Sequence, residues 1–334
     1  MKICANCFAD DEIKNYILSS SSEISICDCC GAEGIAIELS ELSDFLVSLL
    51  SLYVQDDDSG TELYTVIEQD WHIFSSIDNT CKVLSALFIQ GYVQLDFDNK
   101  VRYVDEIFEC SLAWQKLKSD VRSKSRFFSD VASFNWDSYI RPNFTLRKDS
   151  VLFRARIIPE NKKRLTPKDM GCPPPNKATA GRANPLGIPY LYLCENEETT
   201  LYETRSVYLD KVAIGRFKIE RDLRIVNFDE LINLFYAYTT SDTDTSLTEI
   251  VKQRMILDII SKDMSKPLRR FDTELEYIPT QLICEYCKQN NADGIKFTSS
   301  LFPKGSNIVL FNPKDAKCTK VDTIEITNVS IRYK

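Results

Sequence analysis

Arg182, Tyr192 and Glu203 stand ten and eleven positions apart in the middle of the chain. Together they offer a permanent cation, an aromatic face and a carboxylate, which can grip an anion, pack a flat ring and stabilise developing positive charge. The residues between them read as a glycine/proline loop from Gly181 to Pro189, a short strand over Ile188 to Cys194 and a helix over Glu197 to Arg205. A loop, a strand and a helix in that order can bring the three groups to one cleft.

Several rival chemistries fail on residue counts. His72 is the single histidine, which removes multi-histidine metal sites and most Ser–His or Cys–His catalysis unless His72 itself is the base. An arginine followed by four to six residues and a histidine would mark an RNA-cutting helical fold, but Thr65, Val66 and Ile67 fill the arginine's place. Trp71 to Phe74 therefore reads as a core segment with one partly exposed imidazole. Neither GxGxxG nor GxxxxGK[ST] occurs, so neither a Rossmann unit nor a Walker NTPase is supported.

The elements that must position the central residues start at Val151. There the period changes to two and places Leu152, Arg154 and Arg156 on one strand face. Two cations on one face are costly in a core and useful in a cleft. Seven of the twelve prolines lie between Pro159 and Pro189, so this basic stretch is a long loop rather than a helix. After the central helix, Val212 to Ile219 and Leu223 to Phe228 read as a hairpin, with helices around Leu247 to Met264 and Thr280 to Asn290. Strands follow at Asp293 to Ser300, Asn307 to Phe311 and Thr323 to Tyr333. Cys284 and Cys287 form a mid-helix CxxC with no second pair nearby, the pattern of packed core thiols.

The first half reads differently. Cys4/Cys7 and Cys27/Cys30 are two CxxC pairs separated by nineteen residues, and two such knuckles supply the four-sulfur shell that structural zinc prefers. Cys29 lies inside the second pair and leaves an alternative register open. From Ile35 to about Ile140 helical spacing dominates, as in Leu42, Phe45, Leu46 and Leu49, and a small helical bundle is expected. Asp120 to Arg147 mixes Arg122, Lys124 and Arg126 with Phe127, Phe128 and Trp136. This reads as a solvated helix face with buried aromatics rather than a nucleic-acid surface.

The 334 residues suffice for two or three domains, and 44% hydrophobic with 27% charged residues is an ordinary globular composition. A net charge of −8 argues against direct binding of nucleic acid or anionic membrane as the main activity. No apolar run reaches the length of a spanning helix, and twelve cysteines without a signal-type segment suit thiol and metal chemistry in a cytoplasmic protein.

The residues of the second half resemble the RES family, toxin components of a bacterial toxin–antitoxin class. The resemblance rests on Phe153-Arg154, Gly181-Arg182-Ala183-Asn184 with Gly187, Tyr192, Glu203, and Gly294-Ile295-Lys296-Phe297-Thr298-Ser299. It implies an α+β fold with an ADP-ribosyltransferase-like mixed sheet over 149–334, preceded by a zinc-ribbon module at 1–35 and a HEPN-like helical domain at 36–148. It also implies consumption of NAD, by hydrolysis, phosphorolysis or transfer of ADP-ribose to protein, and a helix-turn-helix antitoxin as a partner. In that picture Arg182, with Arg154, holds the pyrophosphate, Tyr192 packs the nicotinamide end and Glu203 manages the ribose. Asn184 joins the substrate-binding set, and Ser299 bonds the nicotinamide or its ribose.

Overall fold

The computed structural model describes residues 1–126, 136–229, 232–240, 246–266, 274–302 and 304–329. Phe127 and Phe128, the expected helical residues up to Ser133 and the last positions of the expected C-terminal strand lie outside the described residues. In chain order the strands are β1 Lys2–Cys4, β2 Ile24–Ile26, β3 Glu33–Glu38, β4 Tyr53–Gln55, β5 Thr61–Glu62, β6 Lys100–Tyr103, β7 Phe144–Leu146, β8 Val151–Ile157, β9 Leu191–Cys194, β10 Lys211–Ile219, β11 Leu223–Asn227, β12 Gly294–Thr298, β13 Ser306–Leu310 and β14 Ala316–Glu325. The helices are α1 Asp11–Ser20, α2 Ser43–Leu50, α3 Leu63–Trp71, α4 Ile77–Ile89, α5 Asp105–Ser123, α6 Trp136–Tyr139, α7 Glu197–Glu203, α8 Leu234–Thr240, α9 Leu247–Ser265 and α10 Ile278–Gln289. None among the described residues is long and apolar enough to cross a membrane.

The chain divides into two compact units, Met1–Cys110 with Leu231–Arg254, and Ser111–Glu230 with Met255–Lys334. In the first, β1, β3 and β2 form one small sheet, and β4, β6 and β5 another. Asp10 caps α1 by accepting from the Ile13 N–H at 2.9 Å, which lets Ile13 and Ile17 turn into a fully buried position. Phe45 of α2 meets Phe235 of α8 edge-on at 5.1 Å. The stretch expected to be a helical bundle thus contains a sheet as well as helices. Its strands β4 and β5 are three and two residues long, too short for a period of two to register in the sequence.

The second unit is built on an eight-stranded sheet in the order β14-β10-β8-β9-β13-β12-β11-β7. All neighbours are antiparallel except β11 and β12, which run parallel. The α+β class expected from the sequence is therefore the observed one. The expected hairpin of β10 and β11 does not form: β10 pairs with β14 and β8, whereas β11 pairs with β12 and β7. Arg221, between the two strands, holds Asp293 at 2.6 Å and Asp315 at 2.9 Å, which steers the chain away from a tight reversal.

Two strands joined by so short a connection yet placed second and seventh in the order require the sheet to bend on itself. One face accordingly becomes a shared interior, with Leu152, Leu191, Leu193, Phe217, Leu223, Ile225, Ile308 and Leu310 packed together. The opposite face carries Ala155, Val212 and Ile214, against which Leu201 of α7 packs.

Near the middle of the sheet the pairing almost stops. β8 and β9 meet only at Phe153 and Cys194, and beyond that pair the strands part. The proline-rich chain from Ile158 to Tyr190 connects them, so the split and the long loop are two aspects of one feature. On the other side of β9 the β12–β13 hairpin passes close to the start of α7. A Cβ at Gly305 would lie 1.9 Å from Thr199 Oγ1, and Thr199 is fully buried with that oxygen bonded to Asn196 Oδ1 at 2.7 Å. Gly305→Ala should therefore lower unfolding stability by about 1–3 kcal/mol, measured by urea titration, because neither partner can move without losing its bonds.

Candidate functional site

The split in the sheet opens a cavity of about 320 Å³ within the second unit. Phe153, Arg154, Tyr192, Cys194, Glu203, Arg205, Tyr277, Phe297 and Asn307 are among its walls, together with Gly181 and Arg182. They come from seven parts of the fold: β8, the 181–184 loop, β9, the end of α7 and the turn after it, the residue before α10, β12 and β13. The three central residues foreseen from the sequence do meet at one cleft.

Glu203 is the last residue of α7. Asn196 caps this helix by accepting from the Thr199 N–H at 2.8 Å, and acidic residues fill its first turn as the helix dipole favours. One carboxylate oxygen, Oε1, accepts from Ser299 Oγ at 2.6 Å and from Asn307 Nδ2 at 2.8 Å. Among the described residues Oε2 takes no hydrogen bond, so one oxygen is anchored and the other is left to the cavity. Ser299 is fully buried and also accepts from the Phe302 N–H at 3.1 Å. Its hydroxyl proton is thus committed to Glu203.

Asn307 is turned by its other neighbour. Burial, reinforced by the nearby Glu203 carboxylate, pushes the Cys194 thiol up to about 12, so it stays protonated and donates to Asn307 Oδ1 at 3.2 Å. That bond fixes which end of the amide faces Glu203.

Tyr192 anchors the loop as well as lining the cavity. Its hydroxyl accepts from the Ala183 N–H at 3.0 Å and donates to Asn184 Oδ1 at 2.8 Å. Burial raises its pKa, which keeps the phenol neutral. The close approach depends on Gly181, where a Cβ would sit 2.7 Å from the Tyr192 hydroxyl and 2.6 Å from Asn184 Oδ1. Gln281 Nε2 donates to the Gly181 and Asn184 carbonyls at 2.8 and 3.1 Å, and Thr280 Oγ1 to the Arg182 carbonyl at 2.7 Å.

Asn184 is only 5% exposed and does not line the cavity. Its amide donates to the Thr179 and Pro185 carbonyls at 3.0 and 3.2 Å, so it organises the loop from within. Arg182 does line the cavity, but its Nη1 donates to the Met264 and Ser265 carbonyls, both at 2.9 Å. A cation on the last carbonyls of α9 is favoured by that helix's dipole. Arg154 stands on the strand face shared with Leu152, and its buried Nη1 has no hydrogen-bond partner among the described residues. Burial, and then the neighbouring Arg156 guanidinium, lowers its pKa from the usual arginine range. An unpartnered buried guanidinium nitrogen is what an anion site would leave when empty of its anion.

Asn307, Tyr277, Thr280, Gln281 and Arg205 were not singled out from the sequence. Only Asn307 carried a signal, as a polar residue opening an otherwise apolar strand. His72 ends α3 with an exposed ring on Glu68 Oε1 at 2.6 Å, and Arg122 pairs with Glu276 at 2.9 Å. Cys284 and Cys287 are fully buried in α10, as expected of core thiols.

The RES domain model matches residues 152–329, just over half of the chain. The chain belongs to the RES domain family. In this RES protein the matched region covers β8 through β14 and every wall of the cavity named above. No curated protein matches the chain. Among solved structures, the M. tuberculosis MbcT–MbcA toxin–antitoxin complex contains a chain with 10% identity, covering 55% of this chain and 87% of that one, at a TM-score of 0.32.

In the first unit, the sulfurs of Cys4, Cys7, Cys27 and Cys30 all lie within 4.8 Å of one another, close enough to hold one metal ion. The Cys4–Cys7, Cys4–Cys30 and Cys7–Cys27 separations are 3.9, 3.6 and 3.5 Å. A tetrahedron with metal–sulfur bonds of about 2.3 Å has edges of about 3.8 Å, so the four thiols fit a tetrahedral ion. The Cys29 thiol donates to Asn79 Oδ1 at 3.5 Å and does not belong to the group of four mutually close sulfurs, which includes Cys30. Cobalt(II) added to metal-free protein should give the absorption of a tetrahedral tetrathiolate. Cys30→Ser should alter that spectrum and Cys29→Ser should leave it unchanged.

Proposed function

We propose that this RES domain cleaves the bond between nicotinamide and ribose in NAD, as a glycohydrolase or phosphorylase. The observation that carries the reading is the Glu203 carboxylate at the cavity wall, with Oε1 held by Ser299 and Asn307 and Oε2 unclaimed. Loss of nicotinamide leaves an oxocarbenium-like ribose, and a fixed carboxylate beside it stabilises that charge or holds a ribose hydroxyl. The carboxylate needs no reorganisation at the moment of reaction because its two donors are already in place.

The other walls have matching tasks. The ring of Tyr192 packs the nicotinamide end, and its hydroxyl keeps the loop closed. Arg154 supplies an unused donor to the pyrophosphate, and Arg182 adds charge from its anchored position. Ser299 and Asn184 act on the protein side, Ser299 by aiming Glu203 and Asn184 by shaping the loop. Membership of the RES family supports the NAD reading and, with it, a place in a toxin–antitoxin pair whose antitoxin is a helix-turn-helix protein. We assign residues 149–334 to the catalytic domain, 1–35 to a zinc ribbon and 36–148 to a helical extension. Zinc at Cys4, Cys7, Cys27 and Cys30 would fold the ribbon and take no part in the chemistry, since four sulfurs close its coordination shell.

Incubation with NAD should release nicotinamide, and Glu203→Gln should slow release at least about a hundredfold. Free ADP-ribose identifies hydrolysis, its 1″-phosphate formed only with phosphate present identifies phosphorolysis, and a labelled acceptor identifies protein ADP-ribosylation. Nicotinamide release equal in wild type and variant would remove Glu203 from the reaction.

A further inference from the structure

Three arginines reach the cavity, and only one of them lies at its exposed edge without an assigned role. Arg182 spends Nη1 on the end of α9, and Arg154 lies deep on β8. Arg205 is exposed, lines the same cavity two residues beyond Glu203, and no carboxylate pairs with it among the described residues.

Its backbone is unusual as well. Arg205 has φ +50°, a left-handed conformation that a Cβ disfavours and that glycine adopts freely. The turn is nevertheless built around it. The Arg205 N–H donates to the Tyr202 carbonyl at 3.0 Å, and Thr204 Oγ1 bonds the Thr200 and Leu201 carbonyls at 3.1 and 3.0 Å and Ser206 Oγ at 2.7 Å. Tyr202, at the base of the turn, stacks on Phe302 at 5.0 Å. A left-handed residue just past a helix end is a common cap that glycine usually fills; here a long cation fills it, held by bonds on both sides and lining the cavity.

We propose that Arg205 is a specificity-determining residue that binds the pyrophosphate of the dinucleotide, an assignment that rests on the NAD reading above. With Glu203 on the nicotinamide ribose, the next group along NAD is the pyrophosphate, and Arg205 is the cation that the turn fixes beside Glu203. The guanidinium fork suits a phosphate oxygen pair, and an exposed rim cation contributes to binding of the whole dinucleotide more than to cleavage of the distant bond.

The left-handed backbone supplies a clean test, because Arg205→Gly removes the side chain and relieves the strain, leaving the fold intact. With NAD, Arg205→Gly should raise KM about tenfold or more and leave kcat within about twofold, and Arg205→Lys should recover part of the loss. With nicotinamide riboside, which has the same scissile bond and no pyrophosphate, wild type and Arg205→Gly should have equal kcat/KM. An unchanged KM for NAD, or a riboside loss equal to the NAD loss, would overturn the assignment. Calorimetry with ADP-ribose separates this claim from the NAD reading: absent turnover counts against the cleavage reaction alone. Binding about tenfold weaker in Arg205→Gly supports the pyrophosphate contact, and equal or undetectable binding in both proteins overturns it.

Discussion

The site depends on one carboxylate being held by two strands that do not belong to its own helix. Glu203 ends α7, Ser299 follows β12 and Asn307 lies on β13, and the bonds between them are 2.6 and 2.8 Å. For these atoms to meet, the β12–β13 hairpin must press on the first turn of α7, as Gly305 permits, and α7 must lie across β8 through Leu201. The same carboxylate, freed from these donors, would be an ordinary surface glutamate at a helix end. Anchoring one oxygen removes most of its rotational freedom before any ligand arrives, the preorganisation that electrostatic catalysis requires.

The cavity exists because the sheet gives up pairing between β8 and β9 beyond Phe153 and Cys194. The 181–184 loop lines this opening and is held by the Tyr192 hydroxyl and by the side chains of Thr280 and Gln281. These bonds hold the loop from three sides and set the position of the wall it offers. Charge is distributed unevenly across the cleft, with Arg154, Arg182 and Arg205 facing the single carboxylate Glu203. An anionic ligand with a centre that becomes positive during reaction suits that distribution.

Much of this was legible in residue types and spacing. The ten- and eleven-residue intervals linking Arg182, Tyr192 and Glu203 carried the loop, strand and helix in the right order, and Phe153-Arg154 with the late Gly294 to Ser299 run carried the family. The roles of Arg182, Asn184 and Ser299 were less visible, because a polar side chain that serves the fold has the same letter as one that serves a substrate. Only the carbonyls of Met264 and Ser265 reveal where the Arg182 guanidinium goes. Asn307, Thr280 and Gln281 act about a hundred positions from their partners, a distance at which no local pattern speaks. The β10–β11 hairpin was misread because a short polar connection looks alike whether the strands pair or diverge, and the ties from Arg221 to Asp293 and Asp315 are long-range. At the N-terminus the spacing named the knuckles but left Cys29 and Cys30 open; in the fold Cys30 joins the group of four close sulfurs and Cys29 bonds Asn79 of α4.

In the proposed reaction the anchored carboxylate meets the nicotinamide ribose of NAD. A crystal structure of the Glu203→Gln variant with NAD tests it most directly. The ribose hydroxyls should lie within hydrogen-bond reach of the side chain at position 203, with the nicotinamide ring against Tyr192. NAD bound elsewhere, or in the cleft with that ribose turned away from position 203, would contradict it.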